Sequence, residues 1–341
     1  MPITEHVVKN NSQTTFYLAE GPEDGPLAIF IHGWPELSIS WRHQLPVLGA
    51  LGFRVIAPDM RGYGRSSVYE NHSDYAQELI VNDMLDLLDS LGREKAIWVG
   101  HDWGSPVVWN LASHHPDRCH AVANLCVPYY TIERGLDHTL TLVDRFLYPE
   151  DEYPSGQWDY MRLYEESFED AIAPMDANVH NFIKLLFRKG NPKLEGTPAR
   201  TATSRRDHAL FGVRDIPDVP RDGDVVTEED LSIYVAALER NGFFGPSSWY
   251  MNHAANATYA QTAQNDGYVD MPVLFITAQY DYVCECAHSR LPELMRNYCR
   301  NLTEETIRAG HWVAQEKPVE VNAALVSWLA TAVPGVWPRP R

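Results

Sequence analysis

The chain has 341 residues, enough for one large domain with an insertion or for two domains. Its 45% hydrophobic and 22% charged residues are ordinary for a globular protein. Asp and Glu number 46 against 28 Lys and Arg, and no Lys/Arg cluster offers the basic face that phosphate contacts need, which argues against a nucleic-acid binder.

Short apolar runs alternate with helical patterns, so the chain is expected to be α/β, with a mostly parallel sheet flanked by helices. In chain order the predicted strands are Thr14 to Ala19, Leu27 to Ile31, Phe53 to Ala57, Ala96 to Val99, Ala121 to Cys126, Val273 to Thr277 and Thr303 to Ile307. The clearest helical pattern runs from Ala76 to Leu91. It puts Leu79, Ile80, Met84, Leu87, Leu88 and Leu91 on one stripe, with Asp83 the polar exception. Gly92 suits its C-terminus, and the last predicted helix is Val319 to Val333. The stretch from Pro128 to Asn265 has few strand-like runs. It reads as a helical insertion over the C-terminal edge of the sheet, where α/β enzymes place ligands. The expected division is a core domain of residues 1–127 and 266–341 and a helical cap domain of residues 128–265.

No apolar run approaches the ~18–20 residues of a membrane helix. Met1 to Glu5 lacks the basic and apolar stretches of a secretory signal. The five cysteines, Cys119, Cys126, Cys284, Cys286 and Cys299, are odd in number and scattered, and read as reduced thiols of a cytoplasmic protein. No His/Cys/Asp spacing has the form of a metal site, so neither metal nor cofactor is expected.

The chemistry concentrates in Gly100-His101-Asp102-Trp103-Gly104, between a predicted strand and a predicted helix. This is the context of a nucleophile elbow with aspartate in place of serine. A serine makes an acyl-enzyme from a carbonyl. A carboxylate makes an alkyl ester by attacking a saturated carbon that bears a leaving group. His32-Gly33-Trp34-Pro35 follows the Leu27 to Ile31 strand, so the oxyanion hole is expected from the backbone N–H groups of Trp34 and Trp103. His311, in Gly310-His311-Trp312 after the last strand, is the expected base for ester hydrolysis, with Asp281 as its acidic partner.

These motifs, together with Asp59-Met60-Arg61-Gly62-Tyr63-Gly64-Arg65-Ser66 and Thr277-Ala278-Gln279-Tyr280-Asp281, span nearly the whole chain. The chain resembles the soluble epoxide hydrolase family of the α/β-hydrolase fold, in its aspartate-nucleophile branch. The resemblance implies conversion of an apolar epoxide and water to a vicinal diol through an Asp102 ester, by a monomer or homodimer. It also implies two cap tyrosines that polarise the epoxide oxygen. These map to Tyr160, in Asp159-Tyr160-Met161-Arg162-Leu163-Tyr164, and to Tyr250, in Gly245-Pro246-Ser247-Ser248-Trp249-Tyr250. Where the family has a Phe-Gln-Glu-Pro-like run this chain has Tyr164-Glu165-Glu166-Ser167, so Tyr164 competes with Tyr160. No extra phosphatase domain, as found on some mammalian relatives, is expected at this length.

A haloalkane dehalogenase shares the Asp-Trp elbow, but a halide leaves with weak donors such as indole N–H groups. An alkoxide needs stronger ones, which the phenols supply. A non-catalytic receptor on the same fold would be expected to have lost part of this machinery. Trp34, Trp103, Trp249 and Trp312 are expected to wall an apolar pocket. Arg61 and Arg65 read as structural, and Glu36 matches a family glutamate near the catalytic water. The His101 side chain is expected to point away from the site. His253 and His288 have no evident partner.

Overall fold

The computed structural model describes residues 2–10, 13–210 and 213–338. Eight strands form one sheet: β1 (Thr4–Asn10), β2 (Gln13–Glu20), β3 (Leu27–Ile31), β4 (Arg54–Pro58), β5 (Ala96–His101), β6 (Cys119–Leu125), β7 (Val273–Ala278) and β8 (Leu302–Ile307). Their order is β1-β2-β4-β3-β5-β6-β7-β8. β1 pairs antiparallel with β2 and β2 with β4, and every later pair is parallel. β3, β5 and β7 are buried along their whole length, which explains their unbroken apolar runs.

β1 is not among the strands that the sequence predicts. It is an edge strand bearing Glu5, His6, Lys9 and Asn10, and most of its residues are exposed or half-exposed, so it has no clean apolar alternation. The other seven strands lie within a few residues of the expected positions.

The helix Gln77–Ser90 buries Ile80, Val81, Met84, Leu87 and Leu88. Its polar exception, Asp83, is buried as well, and the reason is Arg61. The guanidinium donates to both carboxylate oxygens at 2.7 Å, a two-pronged pair. Arg61 therefore ties the segment after β4 to this helix. Arg65 instead makes a surface pair with Glu5 at 2.9 Å and lies over the Phe16 ring.

Among the described residues between β6 and β7 there are helices and loops and no sheet strand. The two longest helices there are Asp159–Ala177 and Glu228–Asn241, followed by Val179–Leu186 and His253–Ala260 at 8 residues each. The last, His253–Ala260, packs against the helices of the sheet layer. Asn256 Oδ1 accepts from the Gln77 N–H at 2.9 Å, and the Tyr259 carbonyl lies 2.9 Å from His114 Nε2. No helix among the described residues is long and apolar enough to cross a membrane.

Candidate active site

β5 ends at His101, and the helix Gly104–His114 begins three residues later. Between them Asp102 sits at φ +48°, a strained conformation for a residue with a side chain. The sharp turn lifts its carboxylate off the end of the sheet. The crossing is tight enough to dictate glycine on both sides. A Cβ on Gly100 would stand 2.6 Å from the Gly104 carbonyl oxygen, and one on Gly104 2.2 Å from that of Ile31.

The loop after β3 comes up beside this turn. The Trp34 N–H donates to Asp102 Oδ1 at 2.6 Å. A Cβ on Gly33 would fall 2.4 Å from that oxygen and 2.7 Å from the Trp103 nitrogen, so both expected oxyanion donors border one small space. His32 anchors the loop from below. Its Nε2 accepts from the Met60 N–H at 3.0 Å and its Nδ1 lies 2.9 Å from the Gly33 carbonyl, a pattern that fits one neutral tautomer. Burial lowers the His32 pKa, which favours that form.

Asp281 follows β7 and His311 follows β8. His311 Nδ1 donates to Asp281 Oδ2 at 2.6 Å, and His311 Nε2 lies 3.4 Å from Asp102 Oδ2. Asp281 Oδ1 accepts the backbone N–H groups of Val283 and Cys284, which fixes the carboxylate. Burial alone would raise the Asp281 pKa, but the His311 charge and these hydrogen bonds hold it below the usual range. For His311 burial pulls downward, and Asp281 and Asp102 outweigh it, so its pKa lies well above 6.5.

These groups open onto a cavity of about 460 Å³. Asp102, Tyr160, Tyr250, Asp281 and His311 all line it, with Trp34, Phe182 and Leu186 among the apolar wall. Tyr160 and Tyr250 meet edge to face, ring centroids 5.6 Å apart. Tyr164 is fully buried and does not line the cavity. It stacks behind Tyr250 at 4.8 Å, with its hydroxyl accepting from Ser247 Oγ at 3.3 Å. Burial first, and nearby acidic groups second, push both the Tyr160 and Tyr250 phenols well above the ordinary value, so they remain O–H donors.

The expected tryptophan wall needs correction. Trp34 and Trp312 line the cavity, but Trp103 and Trp249 do not. Trp103 packs behind Tyr250 at 5.0 Å, and Trp249 is drawn inward by its indole bond to the Arg61 carbonyl. The bulk of these rings is spent supporting a cap tyrosine and the loop after β4.

The motifs assign His101 no task beyond facing away. It does face away from Asp102, and it bridges two parts of the site. Its Nδ1 lies 2.7 Å from Glu36 Oε2, and its Nε2 lies 2.7 Å from the His311 carbonyl oxygen. A carboxylate and a carbonyl only accept, so both ring nitrogens must carry hydrogens and the ring is an imidazolium. Burial opposes that charge, but Glu36 and Cys126 outweigh it and raise the His101 pKa well above normal. Glu36 also accepts from the Gly33 N–H at 3.0 Å and from Gln315 Nε2 at 3.1 Å. Despite its burial, the His101 charge and hydrogen bond, with the Gly33 N–H, hold the Glu36 carboxyl down to about 2. His288 pairs with Glu195 at 2.9 Å. His253 is buried beside Trp103 with neither ring nitrogen hydrogen-bonded among the described residues.

No ligand-spacing motif marks a metal site in the sequence, yet the fold brings two donor sets together across long separations. They are Asp281, Cys284 and His311, and His101, Cys126 and His311, each with donor atoms within 4.8 Å of one another.

Residues 26–318 match the family model for the alpha/beta hydrolase fold. The chain is 33% identical over 309 residues to bifunctional epoxide hydrolase 2 of Sus scrofa, covering 90% of this chain and 52% of that protein. It thus spans about half the length of the first curated relatives it matches. Epoxide hydrolase B of Mycobacterium tuberculosis is 34% identical, with 92% of this chain and 94% of that protein covered. The crystal structure of epoxide hydrolase A from Mycobacterium thermoresistibile superposes with a TM-score of 0.79 at 32% identity, covering 97% of this chain and 99% of that one. The chain therefore belongs to the epoxide hydrolase family of the alpha/beta hydrolase fold.

Proposed function

We propose that this epoxide hydrolase opens an apolar epoxide through a covalent ester on Asp102 and releases a vicinal diol. The observation that carries the reading is convergence. One carboxylate, two protonated phenols and a His–Asp pair share a single largely apolar cavity.

In the first half-reaction Tyr160 and Tyr250 donate to the epoxide oxygen. Asp102 attacks a ring carbon from the opposite side, and the carbon–oxygen bond on that carbon breaks. The departing oxygen develops alkoxide charge, which the phenols stabilise and then protonate. The product of this step is a hydroxyalkyl ester. Esterification removes the Asp102 charge, one of the influences that keeps His311 protonated. His311 is thereby freed to act as base.

In the second half-reaction His311 takes a proton from water, and the hydroxide attacks the ester carbonyl. The oxyanion forms where the Trp34 N–H already donates, with the Trp103 N–H beside it. Collapse expels the diol oxygen, which takes its proton from His311; the regenerated Asp102 carboxyl releases its proton to solvent, and the phenol that protonated the alkoxide takes one back. Glu36 and His101 are positioning residues here. They hold the His311 backbone and the Gly33 N–H rather than touching substrate.

We take residues 1–127 and 266–341 as the core domain and 128–265 as the cap domain that delivers the tyrosines. Five unpaired, buried cysteines favour a reducing, cytoplasmic setting. The test is His311→Gln incubated with an epoxide. Intact mass is expected to rise by the mass of the epoxide, and a peptide map should place the adduct on Asp102. An adduct-free protein that still makes diol would remove the reading.

A further inference from the structure

We propose that Asp281, Cys284 and His311 form a capture site for a thiophilic divalent cation, typified by Zn²⁺, and that metal binding there reversibly shuts the enzyme off. The effect on turnover rests on His311 being the hydrolytic base, as argued above. The binding itself does not.

The three donor atoms lie within 4.8 Å of one another. Thiolate, imidazole and carboxylate are the ligand types zinc takes, and three protein ligands with an open fourth position is a common arrangement. All three residues line the substrate cavity, so an ion has a route in. Cys284 is 3% exposed, and its thiol makes no hydrogen bond among the described residues, unlike its neighbours. Cys126 Sγ donates to the His311 carbonyl and Cys286 Sγ to the Cys126 carbonyl.

The competing set of His101, Cys126 and His311 is spoken for. Both His101 nitrogens are bonded, and neither His101 nor Cys126 lines the cavity. Metal there would leave the buried Glu36 carboxylate without its His101 partner, whereas at the Cys284 site the ion takes the place of the proton between His311 and Asp281 and is bound by both. At the Cys284 site the His311–Asp281 pair needs only a small change. Zinc–nitrogen and zinc–oxygen bonds of about 2.0–2.2 Å in a tetrahedron separate the two ligands by roughly 3.3 Å. The 2.6 Å His311–Asp281 bond opens by less than an ångström to admit the ion. The Cys284 thiol and the His311 ring give up their protons to solvent as the metal bonds form. His311 then has no lone pair for water, so ester hydrolysis stops.

The experiment uses the full chain, stripped of metal. Co²⁺ is added and the thiolate-to-cobalt charge-transfer absorption recorded, and in parallel epoxide turnover is measured against rising Zn²⁺ with and without EDTA. The expected result is the charge-transfer band together with inhibition that EDTA reverses. Cys284→Ala is expected to lose the band and to need at least roughly tenfold more Zn²⁺ for half-inhibition, relative to its own metal-free rate. Cys126→Ala should keep both responses. Inhibition unchanged in Cys284→Ala, or a band that follows Cys126, would overturn the site. A Cys284-dependent band in a protein that opens no epoxide leaves the metal site standing and removes the proposed function. Turnover without the band does the reverse.

Discussion

His101 Nε2 donates to the main-chain carbonyl of His311 at 2.7 Å, which joins the residue before the candidate nucleophile to the backbone of the candidate base. On its other side the same ring meets Glu36, whose carboxylate also holds Gly33 next to Asp102. One buried ion pair thus sets both the loop that carries Trp34, the candidate oxyanion donor, and the loop that carries His311.

Glu36→Gln is expected to cost about 3–5 kcal/mol, because it leaves a buried imidazolium without its counter-charge. Urea unfolding should show a lower midpoint at unchanged slope. The Glu36 carboxyl is held down to about 2 from 4.5, so its contribution is complete above pH 4.5 and is lost as pH falls through about 2. His101 is raised, so its contribution is complete below pH 6.5 and fades as pH climbs through its folded value. A variant as stable as the parent across this range would refute the ion pair's importance.

The two phenols should be separable from their neighbour. Tyr160→Phe and Tyr250→Phe are each expected to slow ester formation by about 10²–10³-fold, the usual loss for one donor to a developing oxyanion. Tyr164→Phe should change it far less, since its hydroxyl accepts from Ser247 behind Tyr250. Rapid-mixing measurement of the first half-reaction decides the matter. Loss confined to Tyr164→Phe would move the donor one helical turn along the cap helix.

Gly33→Ala probes the space beside the candidate nucleophile. The new methyl would lie 2.4 Å from Asp102 Oδ1, so the carboxylate or the loop must move. Single-turnover ester formation should fall by at least about 10², with a folded protein by circular dichroism. Near-normal ester formation would show that the Trp34–Asp102 contact is dispensable.

The pH dependence should divide between the half-reactions. His311 is protonated over a wider range than a free histidine, and only its neutral form accepts a proton from water. Ester hydrolysis is therefore expected to speed up as pH rises towards the His311 pKa, and ester to accumulate at lower pH. Stopped-flow traces with the two phases resolved provide the check. A hydrolytic phase that is flat or falls with pH would assign the base elsewhere.

Much of the candidate site is legible in the sequence because its geometry is local. Gly100 and Gly104 flank Asp102 because two backbones cross there, and that shows in five consecutive letters. Asp281 and His311 follow predicted strands, so their place at one sheet edge follows from topology. The choice between Tyr160 and Tyr164 is different. They stand four apart on one helix and share a face, and only packing against Tyr250 and Ser247 separates them. His101 was illegible for another reason. Its partners lie 65 and 210 residues away, and no spacing rule joins them. The Asp281–Cys284–His311 cluster shares that character, since the thirty residues from Asp281 to His311 take in most of the β7-to-β8 connection and β8 itself. β1 escaped because an exposed edge strand has no buried face to pattern.

The most direct measurement is one turnover, with enzyme in excess of epoxide, in water enriched in heavy oxygen. The oxygen added to the diol is expected to come from Asp102, leaving the diol unlabelled and the heavy atom in the aspartate side chain. A diol labelled in that first turnover would mean that water, not Asp102, opens the ring.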